Sequence, residues 1–296
     1  MSKIPLIVTT EWLAERLNDP NLRLLDASTF LKHPEKDGYY DVWSGKEAYE
    51  KGHIPGAVFA DLHKELSDPD SEFAFTLPSR ERFIEKISNL GVGEGTRVVV
   101  YDQGAIVGAP IIASHWATRL AWQLRYEGFE DVAVLDGGFP KWLDEGRPVT
   151  TEPGSYPPGK FTSLRKPELF VTKEDVLRAI DDENVIIIDS LTEEHYNGEV
   201  NTYGRLGHIP GSVNVFFGSH SDSETKELYD EEKLRNKFEK VGALDPNKKV
   251  ITYCGSAIAA TWNAFVLNKL GQHNVAVYDG SLTEWAKDPS LPLETT

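Results

Sequence analysis

One thiol is available for chemistry in this chain, Cys254, in the stretch Lys249-Val-Ile-Thr-Tyr-Cys-Gly-Ser-Ala-Ile-Ala-Ala-Thr261. An apolar run of β character, Val250 to Tyr253, leads into it. Helical spacing follows at Ala259, Trp262, Ala264, Phe265, Leu267 and Leu270, with Gly271 as the stop. A cysteine so placed ends a buried strand and faces a helix N-terminus. There, backbone N–H groups and the helix dipole favour a thiolate. The same spacing also describes a small buried hydrophobe, a common fate of free cysteine, and by itself it leaves both readings open.

Histidine is the other reactive type, and it recurs in two turns, Gly52-His-Ile-Pro-Gly-Ala57 and Gly207-His-Ile-Pro-Gly-Ser212. Pro and Gly set a turn before a strand, and the imidazole satisfies backbone groups there. Both turns carry the His although only one half of the chain carries a thiol. The motif therefore follows the fold rather than a reaction. The other six histidines show no metal-ligand spacing; His195, shortly after Asp189, and His220 are minor candidates.

The elements that must position Cys254 belong to a repeat. Ile7-Val-Thr-Thr-Glu-Trp-Leu13 is echoed by Phe170-Val-Thr-Lys-Glu-Asp-Val176, and Leu24-Leu-Asp-Ala-Ser28 by Ile187-Ile-Asp-Ser-Leu191. Val98-Val-Val-Tyr-Asp102 returns as Val250-Ile-Thr-Tyr-Cys254, and Val132-Ala-Val-Leu-Asp-Gly-Gly138 as Val275-Ala-Val-Tyr-Asp-Gly-Ser281. The order never changes while the offset shrinks along the chain, as expected of a tandem duplication with deletions in the second copy. Asp102 thus stands where the second copy has Cys254. A carboxylate cannot do thiolate chemistry, so one half is active and the other degenerate, unless Cys254 is itself incidental.

Within each half, β-rich runs alternate with helical patterns. Arg23–Ala27, Ala57–Ala60, Val98–Tyr101 and Val132–Leu135 read as strands; Thr10–Leu17, Lys46–Lys51, Arg80–Leu90, Ser114–Leu124 and Pro140–Glu145 read as helices. The strands are apolar on both faces, which predicts an α/β fold: two domains, each a central parallel sheet flanked by helices. Thr151 to Pro167, rich in Pro and Gly, reads as an extended linker over the surface. The expected boundaries are residues 1–152 for the inactive first domain, 153–168 for the linker and 169–296 for the domain with the nucleophile.

Composition bounds the function. With 296 residues, 40% hydrophobic and 26% charged, the chain can bury two ordinary cores. A net charge of −16 argues against nucleic acid as a partner, which needs a basic footprint. A single cysteine forms no internal disulfide and fits a reducing compartment. The N-terminal stretch lacks the apolar core of a signal peptide, and no segment approaches membrane-spanning length. These observations predict a cytoplasmic protein with no membrane partner.

Together the paired turns, Leu77-Pro-Ser79, Leu90-Gly-Val92, Val99-Val-Tyr-Asp102, Leu135-Asp-Gly-Gly-Phe139, Ile188-Asp-Ser190, Tyr253-Cys-Gly-Ser256 and Tyr278-Asp-Gly-Ser281 with Glu284-Trp285 form an ordered set. In this the sequence resembles the tandem-domain rhodanese-type sulfurtransferases, which use thiosulfate or 3-mercaptopyruvate, over nearly its whole length. The resemblance implies two tandem rhodanese-like domains, the first inactive. It implies an active-site loop of Cys254, Gly255, Ser256, Ala257, Ile258 and Ala259, with Cys254 as the nucleophile that takes a sulfane sulfur as a persulfide and passes it to cyanide or a thiol. It calls for no cofactor and no metal. The implied partners are a small sulfur donor, a thiophilic acceptor and a thioredoxin-like reductant.

Several positions depart from the family pattern. Thiosulfate enzymes usually carry cationic side chains just after the Cys, where Gly255 and Ser256 stand. Mercaptopyruvate enzymes usually have Gly where Ala257 stands, and often a His at the position of Phe75. Both kinds usually place Arg directly after the Asp-Ser pair, where Leu191 stands; Arg205, two residues before the second Gly-His-Ile-Pro-Gly turn, is the nearest available cation. Leu191 and Arg205 are therefore the candidate substrate-binding positions. Two other classes compete. A cysteine phosphatase or arsenate reductase would need an Arg six residues after the Cys, and position 260 is Ala260. A degenerate pair serving as a sulfur carrier or protein-binding module would fit the missing cations.

Overall fold

Strands that are apolar on both faces are stable only when both faces are covered, and parallel strands must be joined by crossovers long enough to do the covering. The computed structural model, which describes residues 3–34, 38–104 and 106–296, meets both demands twice over. The first half runs β1 (Ile7–Val8), α1 (Thr10–Ala14), β2 (Leu22–Asp26), β3 (Thr29–Lys32), β4 (Asp41–Ser44), α2 (Lys46–Lys51), β5 (Val58–Phe59), α3 (Arg80–Asn89), β6 (Arg97–Tyr101), α4 (His115–Tyr126), β7 (Val132–Leu135) and α5 (Gly138–Asp144). The second runs β8 (Phe170–Val171), α6 (Lys173–Ala179), β9 (Val185–Asp189), α7 (Glu193–Asn197), β10 (Val213–Asn214), α8 (Glu231–Glu239), β11 (Lys249–Tyr253), α9 (Ile258–Lys269), β12 (Val275–Tyr278) and α10 (Ser281–Trp285).

Each half builds one five-stranded parallel sheet, and the two share one strand order: β1-β7-β6-β2-β5 and β8-β12-β11-β9-β10. Register repeats too, with Asp26 opposite Tyr101 and Asp189 opposite Tyr253. The edge strands are only two residues long; β5 falls within the expected Ala57–Ala60 run, whereas β1 is too short to show a periodicity in the sequence. The antiparallel hairpin β3–β4 has no counterpart in the second half, and it fills the longer stretch between Asp26 and His53. Helix α1 ends at Ala14 rather than Leu17 because its last turn tightens, with Arg16 N–H bonding to the Leu13 carbonyl at 2.9 Å.

The two turn histidines serve the fold in the same way. His53 lies flat on Tyr49, ring centroids 3.8 Å apart, with Nδ1 2.7 Å from the Tyr49 carbonyl oxygen. His208 lies flat on Tyr196 at 3.7 Å, with Nδ1 2.7 Å from the Tyr196 carbonyl oxygen. Residues 151–166 form no regular element and strap the first domain: Gly154 N–H bonds to Ala57 O at 3.1 Å, and Gly159 N–H to Ser88 O at 2.8 Å.

The two halves meet along α4 and α9, the helices that follow Asp102 and Cys254. From Ile258 to Leu267 every residue of α9 is buried, the mark of a helix enclosed on all sides. Each large apolar side chain so buried contributes about 1.5–3 kcal/mol, so the seam is part of the core. The Thr118 and Thr261 hydroxyls meet across it at 3.2 Å. The halves also exchange equivalent contacts. Leu77 N–H donates to Asp279 Oδ2 (2.9 Å), and Leu228 N–H donates to Asp136 Oδ1 (3.0 Å). Arg119, almost fully buried, pairs with Asp279 at 2.7 Å. No helix among the described residues is long and apolar enough to cross a membrane.

Candidate active site

Strand β11 delivers Cys254 to the end of the second sheet, and α9 begins four residues later. The turn between them requires Ala257 in the left-handed region (φ 57°), an unusual backbone for a side chain larger than glycine. Ser281, also left-handed (φ 49°), braces it from beneath. Its Oγ accepts from the amides of Cys254 and Ala257, each at 3.2 Å, and donates to the Tyr278 carbonyl at 2.8 Å. Leu282 N–H binds the Cys254 carbonyl (2.9 Å) and Thr283 N–H that of Gly255 (3.0 Å).

Burial pushes the Cys254 thiol above its ordinary value. The amides of Ala260, Ser256 and Ala259 oppose that by facing the sulfur, and the Asp189 carboxylate adds to it. The helix N-terminus thus supplies the expected donors, but desolvation outweighs them in the protein without substrate.

Cys254 opens into a cleft between the domains with about 630 Å³ of empty space, part of it continuous with solvent. Gly255, Ser256, Ile258 and Ala259 form one wall, with Leu191 and His195 beside them. Phe216 and Phe217 close the second-domain side; Phe75, Ile106, Ile111 and Trp116 come from the first domain. Tyr40, from the segment leading into β4, reaches across and bonds to the Ser256 hydroxyl at 2.9 Å; Thr283 Oγ1 holds the same hydroxyl at 3.1 Å.

Among the described lining residues there is no Arg or Lys. His115, His195 and His33 do line the cleft, but burial pushes all three below the ordinary histidine value, His115 to about 4. Tyr203 explains the glycine after the cysteine, because a Cβ at position 255 would stand 2.0 Å from its hydroxyl oxygen.

The structure brings Cys254, its loop and Leu191 together. Leu191 lines the cleft while its amide donates to Asp189 Oδ1 at 2.8 Å. Arg205 does not join them, and its expected place at the substrate is corrected. Its Nη1 donates to the carbonyls of Asp288 and Leu291, both at 3.0 Å, so it braces the C-terminal segment. His220 is also elsewhere, bonded through Nε2 to Asn263 Oδ1. Sequence reasoning missed Tyr40, Tyr203, Ser281 and Thr283. For Ser281 a signal existed: it replaces Gly138 of the first copy at a left-handed position (Gly138 φ 56°). Tyr40 left none, because its segment has no second copy. Among the described residues no cluster of His, Cys, Asp and Glu could hold a metal ion.

The model of the rhodanese-like domain family matches residues 9–145 and 172–288. The thiosulfate sulfurtransferase of Rattus norvegicus is 35% identical over 297 residues, 98% of this chain and 94% of that protein. The 3-mercaptopyruvate sulfurtransferase of the same organism is 34% identical, over 94% of this chain and 91% of that protein. The crystal structure of SseA from Escherichia coli, a 3-mercaptopyruvate sulfotransferase of the rhodanese fold, superposes with a TM-score of 0.78 at 32% identity, covering 94% of this chain and 99% of that one. A duplicated parallel sheet with a thiol on one loop and a carboxylate on its twin, together with this likeness along nearly the whole chain, shows that the protein belongs to the rhodanese family, in its tandem-domain thiosulfate/3-mercaptopyruvate sulfurtransferase branch.

Proposed function

We propose that this enzyme moves a sulfane sulfur from a small donor, of the thiosulfate or 3-mercaptopyruvate type, through a persulfide on Cys254 to cyanide or a thiol. The observation that carries the reading is the thiol at the floor of an inter-domain cleft, with three amides turned toward its sulfur. In the first half-reaction the Cys254 thiolate attacks the outer sulfur of the donor. A sulfur–sulfur bond to Cys254 forms as the donor's own bond to that sulfur breaks. Thiosulfate would leave as sulfite. In the second half-reaction an acceptor nucleophile attacks the same sulfur and restores the thiolate; a thioredoxin-like thiol is one such acceptor. The amides face an anionic sulfur at both stages and need not reorganise between them.

The first domain, in this reading, supplies walls and no nucleophile. Asp102 lies away from the cleft, while Phe75, Ile106 and Trp116 close it. The test is direct. Protein exposed to a competent donor and freed of excess should gain the mass of one sulfur atom, and cyanide should then release thiocyanate. Cys254→Ser should show neither. Normal turnover by that variant would overturn the reading.

A further inference from the structure

A second cavity opens at the far end of the seam between the domains. Helices α4 and α9 both start at the cleft, where His115, Trp116, Ile258 and Ala259 line it. The Thr118–Thr261 contact then closes the space between them. Beyond it, a furrow with about 800 Å³ of empty space, part of it open to solvent, runs along their C-terminal halves. It shares no lining residue with the cleft. Helical spacing makes it: Trp122 and Arg125 follow Thr118 by four and seven residues, and Phe265 and Asn268 follow Thr261 by four and seven. Each set is one stripe of its helix. The stripes are copies of each other, except that Arg125 stands where the second has Asn268.

The walls need no further polar partner. Trp122, Leu169, Phe265 and Val275 are apolar there, and the Trp122 indole N–H already donates to the Leu169 carbonyl at 3.3 Å. Asn268 donates to the Ala264 carbonyl at 2.9 Å. The half-buried Arg125 is the exception. Burial pushes its guanidinium below the ordinary value, and no carboxylate or other acceptor among the described residues offsets that. Lys166, at the mouth, is paired with Glu130. A cation in the last turn of α4 suits the helix dipole, but a solvent-facing side chain would serve the dipole as well. A cation held partly out of water, without a counter-charge, is costly until an anion joins it.

We propose that this furrow binds a small monocarboxylate with a planar apolar body, its carboxylate gripped by Arg125 and its ring lying against Trp122 and Phe265. A guanidinium holds a carboxylate through two parallel hydrogen bonds. Glu168, exposed at the mouth, repels a second negative charge and so selects a monoanion. The space suits a small molecule, since such sites span about 300–1,000 Å³.

Calorimetric titration of the whole enzyme with phenylacetate tests this, with phenylacetamide and inorganic phosphate as comparators. Phenylacetate should bind at least about tenfold more tightly than either, and Arg125→Gln should weaken it about tenfold or more, as loss of a charged hydrogen bond requires. Asn268→Trp, which fills the furrow, should weaken it comparably. Arg125→Lys, which cannot grip with two parallel bonds, replaces Arg125→Gln if that variant does not fold. Undiminished binding in any of these folded variants overturns the site. So does the absence of saturable phenylacetate binding in the wild type. Equal affinity for the amide overturns the carboxylate, and equal affinity for phosphate overturns the apolar body. Sulfur transfer through Cys254 is independent of every one of these results.

Discussion

The loops after β6 and β11 sit on nearly identical scaffolds and end in opposite chemistry. In each, the Tyr before the loop takes the amide of its Gly-His-Ile turn, Ile54 N–H to Tyr101 at 3.3 Å and Ile209 N–H to Tyr253 at 3.1 Å. In each, the carbonyl of the key residue accepts an amide from the following Asp-Gly turn at 2.9 Å, Phe139 for Asp102 and Leu282 for Cys254. The side chains then diverge. Asp102 accepts from the amides of Gly104 and Ala117, both at 2.8 Å, so its own carboxylate fills the cradle at the start of α4. Cys254 is shorter in reach, and its amides face a sulfur that can exchange partners. A cradle filled from within is a structural cap, whereas one whose occupant can exchange partners is suited to catalysis.

Relocating the thiol would break this comparison most severely. The double variant Asp102→Cys with Cys254→Ser should stay about a thousandfold or more below wild type in thiocyanate release, because position 102 lies outside the cleft. Recovery to within tenfold would mean that either cradle suffices. Next in size is the pH profile. Since burial raises the Cys254 pKa, the thiolate is scarce at neutral pH. Single-turnover loading at saturating donor should therefore climb about tenfold per pH unit from pH 6 toward the thiol's pKa. A flat profile would show a thiolate already formed.

A smaller effect concerns stability. Burial pushes the Asp102 carboxyl up to about 7, above the unfolded value of about 3.9. A raised folded pKa gives stability that is full below the unfolded value and lost as pH rises through the folded one. Buried Asp26, Asp136 and Asp189, each raised to about 6, act with the same sign. Asp102→Ala should lower stability at pH 5 by about 1–3 kcal/mol, because the buried amide of Ala117 and the half-buried one of Gly104 lose their acceptor. It should also flatten the decline between pH 4 and 7 in denaturant titrations, with turnover changed less than about threefold. Turnover lost with the fold intact would give the first loop a catalytic part. Smallest is Tyr40→Phe, which removes one neutral hydrogen bond to Ser256. A fewfold loss, about 0.5–1.5 kcal/mol, is expected in kcat with KM nearly unchanged; no change would reduce Tyr40 to a wall.

Much of the fold was legible because duplication writes it twice. Collinear motifs showed two copies, and apolar runs such as Val98–Tyr101 and Val250–Tyr253 showed strands covered on both faces. Cys254 was legible as well, as the one thiol between a strand pattern and a helix pattern. The lining of the cleft was less so. Leu191 stands out only because the resembling enzymes usually have Arg at that place, whereas Arg205 stands two residues before the second Gly-His-Ile-Pro-Gly turn with no contact of its own legible in the sequence. Its guanidinium instead turns to the carbonyls of Asp288 and Leu291, more than eighty residues away along the chain.

The sequence by itself determined the repeated α/β order, the single thiol and the presence of Asp102 at its place in the first copy, since these depend on residue type and local period. Only the tertiary structure decided what surrounds the thiol. Packing α4 against α9 brings Phe75, Ile106 and Trp116 of one half to Cys254 of the other. The β3–β4 region carries Tyr40 to Ser256, 216 residues apart in the chain, and Tyr203 closes the space beside Gly255. Long-range packing of this kind leaves no local period to read, because each partner is chosen by shape and burial after the elements have formed.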